Sequence, residues 1–243
     1  SMNREPATSP LRTAKTIAKY LVNKGVTPYI IESDQATSKA EVRARHLGYT
    51  DLGLDFINVS DIDRADLFVQ LVPNRRRTLA FSGEASAGFI NLPVIKATDL
   101  EGVWFTCAIK NMFGLLKYPH KAKLHKDLVT ILKKLFEVFR DRTYTFVDAE
   151  FAMEGKGSPV SGKPIHLHEF YLSGSDLMEL DVFTARMVCG FDVTRIKYLD
   201  SAKEISVDGS MPKHPKIMHF EPCTLTLFKR IQYFVLAHLD NPL

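Results

Sequence analysis

LVTILKKLFEVFRDRTYTFVDAE, Leu128–Glu150, runs from a helical pattern straight into a strand pattern. Leu128, Leu132, Leu135 and Phe139 recur at three- and four-residue steps and share one helix face, with the lysines on the other. Tyr144–Val147 (YTFV) is then a short aromatic and β-branched run of strand type that ends at Asp148. Upstream the same alternation repeats. Leu11 to Lys24 places Ile17, Ala18, Leu21 and Val22 on a helical stripe, with Gly25 where a C-terminal cap belongs. Pro28–Ile31 is a strand, Ser38 is expected to cap a helix that Gly48 stops, and Phe56–Val59 is a further strand. Leu67–Leu71 and Phe89–Ile95 (FINLPVI) are apolar runs of strand length. Trp104–Leu116 is expected to be helical and Glu154–Pro164, rich in glycine and proline, to be a loop. Ile165–Leu172 alternates polar and apolar residues. Ser175 is expected to cap a helix to Val188 with Gly190 after it, and Thr224–Leu239 is an amphipathic helix. Alternating patterns of this kind predict an α/β fold, with a mixed, largely parallel sheet flanked by helices. A single domain over 1–243 is expected, its best candidate for an internal boundary being Pro73–Gly88.

The composition is that of an ordinary globular chain: 243 residues, 45% hydrophobic and 25% charged. With 32 basic and 28 acidic residues the net charge of +4 is mild, and only Arg75, Arg76 and Arg77 form a dense basic run. A nucleic-acid binder usually gathers its charge in a stripe, so nucleic acid is not an expected partner. Cys107, Cys189 and Cys223 lie far apart with no C-x-x-C pair, so neither a zinc ribbon nor an iron–sulfur cluster is expected. Sparse, odd cysteines suit a reducing compartment, and the cytoplasm is the default. No apolar run of about 20 residues is present to span a bilayer, and SMNREPATSP lacks the apolar centre of a signal peptide. Ser1 before Met2 is taken as an added residue.

Three groups of residues could carry chemistry. The first follows the strand: Asp148 and Glu154 fall where ligands collect in open α/β sheets, beyond the carboxyl ends of strands, beside glycines and Lys156 and Lys163. The spacing matches neither a Walker loop nor a dinucleotide fingerprint, and the glycines also suit a plain surface turn. The second is Lys110 and Asn111, able to hold a carboxylate or phosphate, followed by His120 and His125 as acid–base candidates. His166 and His168 alternate on a strand and would share a face as a metal pair, with no third ligand evident. The third is Asp176 and Asp181. Asp176 suits the start of a helix, whereas Asp181, among Leu180, Val182, Phe183 and Met187, needs a partner or a function. No serine nucleophile elbow and no catalytic cysteine signature appears.

In this order these stretches resemble the domain of unknown function 362 family. The resemblance is carried by REPATS (Arg4–Ser9), INLPVIK (Ile90–Lys96), IKNMFGLL (Ile109–Leu116), His125, FVDAEFAMEGKGSPVSGKP (Phe146–Pro164) and GSDLMELDVFTARMVCGFD (Gly174–Asp192). It implies a site at Lys96, Lys110, Asn111, His125, Asp148, Glu154, Gly155 and Asp181, without implying a reaction. Family members commonly have a strand ending in Lys-Pro-Asn ahead of the REPATS-like stretch, which implies that this chain is a short or truncated form. After Lys96 the family pattern offers Thr-His where this chain has Ala97 and Thr98, which removes one ligand or acid. Many relatives also carry a four-cysteine ferredoxin-like module, which three cysteines cannot supply, so any electron transfer would need an external protein partner.

Two functional classes lead. In the first, an enzyme binds a small anionic metabolite through Lys96, Lys110, Asn111 and Gly155, while Asp148, Glu154, Asp181 or His125 moves a proton or holds a divalent metal. In the second, the chain is a binding or accessory protein of a redox or assembly system, and these polar residues hold loops in place. Nucleic-acid binding through Arg75–Arg77 is a distant third.

Overall fold

The computed structural model describes residues 10–35, 38–61, 88–98, 100–118, 120–155, 162–167 and 171–202. The expected strand Leu67–Leu71, the basic run Arg75–Arg77, most of the expected boundary Pro73–Gly88 and the expected helix Thr224–Leu239 lie outside them. The protein is an α/β protein with both parallel and antiparallel strand pairs, and its chain divides into two compact units. The first contains Gly88–Met112 and the described part of Asp127–Thr224; the second contains the described part of Pro10–Ala87 and Phe113–Lys126.

The second unit opens with α1 (Leu11–Asn23), which buries Ala14 and Ala18. Val22, placed on the stripe from sequence, is exposed. Gly25 (φ +76) ends the helix as expected. β1 (Ile30–Glu32) pairs in parallel with β2 (Phe56–Asn58), Ile31 opposite Ile57. Between them α2 (Ala40–His46) is not capped by Ser38. Its cap is Asp34, whose Oδ1 accepts from Ala40 N–H at 2.8 Å, because the chain turns back after β1 and brings that carboxylate over the helix end. Later in the chain α4 (His120–Leu124) belongs to the same unit.

Among the described residues the first unit holds two sheets. In one, β6 (Thr143–Asp148) lies between β3 (Phe89–Asn91), parallel, and β9 (Tyr171–Gly174), antiparallel. In the other, β4 (Lys96–Ala97) and β7 (Phe151–Gly155) are parallel neighbours, flanked by the antiparallel strands β5 (Phe105–Thr106) and β8 (Gly162–His166). The expected strand Phe89–Ile95 is thus divided, with Lys96 starting a strand of the second sheet, because Pro93 cannot donate to a ladder. The expected helix Trp104–Leu116 is shorter. Gly102 (φ +77) turns the chain so that Phe105–Thr106 pairs with β4, and only α3 (Ala108–Asn111) is α-helical before a 3₁₀ turn, Met112–Leu115. Of the expected loop Glu154–Pro164, Glu154 and Gly155 end β7 and Gly162–Pro164 open β8, paired antiparallel from Phe151 opposite His166 to Gly155 opposite Gly162, while 156–161 lie outside the described residues. β8 has no further neighbour among the described strands, and Pro164 is tolerated on such an edge.

α5 (Leu128–Phe139) buries Leu128, Ile131, Leu132, Leu135 and Phe139, and Phe139 meets Phe89 edge to face at 5.2 Å. α6 (Leu177–Phe183) is capped by Asp176, not Ser175: its carboxylate accepts from the N–H groups of Met178 and Glu179. The helix continues through a wider π turn, Thr184–Val188, and Gly190 (φ +68) follows. Leu135 is fully buried in this core, so Leu135→Ala should cost about 2–5 kcal/mol, read as a lower denaturation midpoint with an unchanged m value.

Candidate functional site

Lys110 and Asn111 stand on α3, and α3 is held by an acid far along the chain. Asp181 is 0% exposed, and its carboxylate accepts from Ala108 N–H at 2.6 Å and Ile109 N–H at 3.1 Å. Tyr198 Oη donates to it at 3.4 Å. The partners that so apolar a stretch demanded are therefore the first N–H groups of a four-residue helix, which has no acceptors for them within itself. Burial pushes Asp181 up to about 7, against the opposing effect of the two backbone N–H groups, Tyr198 and the Cys107 thiol. Cys107, Cys189 and Tyr198 are fully buried beside it and are themselves pushed up, chiefly by desolvation.

The other end of α3 is tied to a strand. Asn91, 1% exposed at the end of β3, donates to Ala108 C=O at 3.0 Å and to Thr145 Oγ1 on β6 at 3.2 Å. Asn111 in turn donates to Asn91 Oδ1 at 2.7 Å. Lys110 is half-buried between these ties. Neither Asn91 nor Thr145 was singled out from sequence; the available signal was a lone asparagine inside the apolar run FINLPVI.

Asp148, 2% exposed, ends β6 as expected, and its Oδ1 accepts from Glu150 N–H at 3.2 Å. Lys96, half-buried on β4, stands opposite Thr106 and Met153. Glu154 is one residue beyond Met153, so its side chain points to the other face of that sheet from Lys96. There it faces Lys163 across the hairpin, Nζ to Oε1 3.6 Å. Gly155 ends β7 with φ +77, a conformation that a side chain strains. His166 Nε2 lies 3.9 Å from Glu150 Oε1; His168 and Lys156 lie outside the described residues.

His125 belongs to the second unit. Its Nδ1 lies 3.1 Å from Lys121 C=O, and since a carbonyl only accepts, Nδ1 carries the hydrogen and the lone pair of a neutral ring is on Nε2. The ring also packs edge-on against Phe113 at 4.7 Å. Among the described residues no group of three or more His, Cys, Asp and Glu side chains is placed to hold a metal, and Cys107 and Cys189 are free thiols. No described helix is long and apolar enough to cross a membrane.

A family model, described as a domain of unknown function (DUF362), matches residues 1–186, a span that includes every site residue above from Lys96 to Asp181. The chain belongs to this family. No curated protein and no solved structure matches it.

The Asp181 tie has a pH signature. In the unfolded chain its carboxyl returns to about 3.8, so between there and about 7 the native state keeps a proton that the unfolded state releases. Stability from this group is therefore greatest below that window and falls as pH rises through it, by at most about 1.4 kcal/mol per pH unit. Unfolding midpoints between pH 4.5 and 7.5 should show this slope, and Asp181→Asn should remove it.

Proposed function

We propose that this protein binds a small anionic metabolite in its first unit, through Lys110, Asn111 and Lys96 with Gly155 nearby, and acts on it with Asp148 as the acid–base group. The observation that carries the reading is the double anchoring of α3. A four-residue helix does not persist alone, yet Asp181 secures its start and Asn91 its first carbonyl and its last side chain. Such anchoring presents a half-buried lysine in one orientation, which is what preorganised recognition of a carboxylate or phosphate requires. Asp148, almost wholly buried at the carboxyl end of β6, supports the proton-transfer role by its place in the sheet. Glu154, paired with Lys163 on the far face of its sheet from Lys96, is assigned to hairpin stability. Asp181 is assigned to positioning. Three scattered cysteines, two of them buried free thiols, keep the cytoplasm as the proposed location.

A thermal-shift screen against phosphates, nucleotides, small carboxylic acids and divalent metals tests the reading. A ligand at a hundred times its Kd should stabilise the protein by about 2.7 kcal/mol. Lys110→Ala should abolish the shift, and Asp148→Ala should abolish turnover of that ligand while leaving Tm nearly unchanged. An accessory role is the better account if no compound shifts the protein and both substitutions merely lower Tm.

A further inference from the structure

The second unit has a polar cluster that the proposed function does not use. It lies past the carboxyl ends of the parallel strands β1 and β2, where Glu32, Ser33 and Asp34 meet Asn58, Ser60 and Asp61. Asp34 pairs with Lys39 at 3.0 Å and also accepts from Asn58 Nδ2 and Ala40 N–H. Glu32 lies 3.8 Å from Arg43 and accepts from Ser33 N–H, while Arg43 donates to Ser33 C=O at 2.8 Å. Each of these two acids therefore has its own cation.

Lys121 has no such match. It is 8% exposed, and among the described residues its Nζ has one hydrogen-bond partner, Ser33 Oγ at 2.6 Å, and no carboxylate within ion-pair range. Ser33 Oγ also lies 2.6 Å from Gly114 C=O. A carbonyl cannot donate, so the hydroxyl gives its only proton to Gly114 and the lysine must be the donor in the other contact. An ammonium has three N–H groups, and one of them is used. A buried cation with a single neutral acceptor is costly unless an anion accompanies it.

From this arrangement we propose that Lys121, braced by Ser33, forms a site for a small oxyanion, a carboxylate or a phosphate, beyond the carboxyl ends of β1 and β2. Ligands gather at this end of parallel strands because successive strands diverge there into loops whose polar groups face the gap. Burial, with Arg43 adding to it, already draws the lysine below its ordinary range against the opposing effect of Glu32 and Asp34, and a bound anion would draw it back up. The site shares no residue with the one proposed for the first unit.

The test is the melting temperature of the full chain against inorganic phosphate and against acetate, at an ionic strength held constant with chloride. A saturable rise is expected with at least one of them, and the tighter of the two identifies the ligand class. Lys121→Met should lose the rise, and should melt without added anion no earlier than the parent, since it removes an unmatched buried charge. Lys110→Ala, which removes the anion-binding lysine proposed for the first unit, should keep the rise, which separates this site from the other. The proposal is overturned by a parent protein indifferent to both anions, or by a rise that persists in Lys121→Met. If that variant does not fold, NMR titration of the Lys121 ammonium in the parent decides: an upward move of its pKa with anion supports the site, and an unmoved value sinks it.

Discussion

The carboxylate of Asp181 is the constraint on which the first unit is organised. It sits in α6, fully buried, and its two oxygens close the start of α3 some seventy residues earlier in the chain. Without it two backbone N–H groups would be left in the core without acceptors, each at a cost of about 1–3 kcal/mol. With it, α3 is a rigid step from which Lys110 and Asn111 project, and Ala108 C=O is free to receive Asn91. Charge is being spent in a place where burial opposes it, and that opposition keeps the group close to neutrality in its titration.

The protein uses acids as helix caps in two different ways. Asp176 and Asp192 are local: each is exposed and accepts from N–H groups two or three residues ahead. Such caps define a helix start and little else. Asp34 and Asp181 are buried and act from outside the helix they cap, Asp181 from far along the chain, and each joins its helix to a different part of its unit. Asp34 links α2 to Asn58 at the end of β2, whereas Asp181 links α3 to α6 and Tyr198. A buried network is worth having only when all its members are satisfied, because the low local dielectric penalises an orphan as strongly as it rewards a pair. This is why Lys121, with one neutral partner, stands out against neighbours whose charges are matched.

Membership of a family described only as a domain of unknown function leaves the chemistry to the residues themselves. They are unequal. Lys110, Asn111 and Asp148 stand on elements fixed by hydrogen bonds or strand pairing, as the proposed binding role requires. Glu154 is engaged across a hairpin with Lys163, and Asp181 is enclosed by the core.

What the sequence determined by itself was most of what depends on neighbours along the chain. The stripe of Leu128, Leu132, Leu135 and Phe139, the strand ending at Asp148, the glycines after α1, α2 and α6, and the α/β class were all legible, because periodicity and φ preference act within a few residues. The strained fit of Asp181 to its surroundings was legible too, as a carboxylate needing a partner. Tertiary structure alone decided who the partner was, that Asp34 rather than Ser38 caps α2, and that Phe105 joins a strand rather than a helix. It also decided that the two ends of the expected loop, Glu154–Gly155 and Gly162–Pro164, belong to paired strands despite their glycines and proline. In each case the deciding contact lies outside the segment itself: the end of β1 for the α2 cap, β4 for Phe105, the opposite strand for Glu154, and, far along the chain, N–H groups of another helix for Asp181. Local preference is worth at most about 1 kcal/mol per residue, and a satisfied buried hydrogen bond or strand pairing outweighs it.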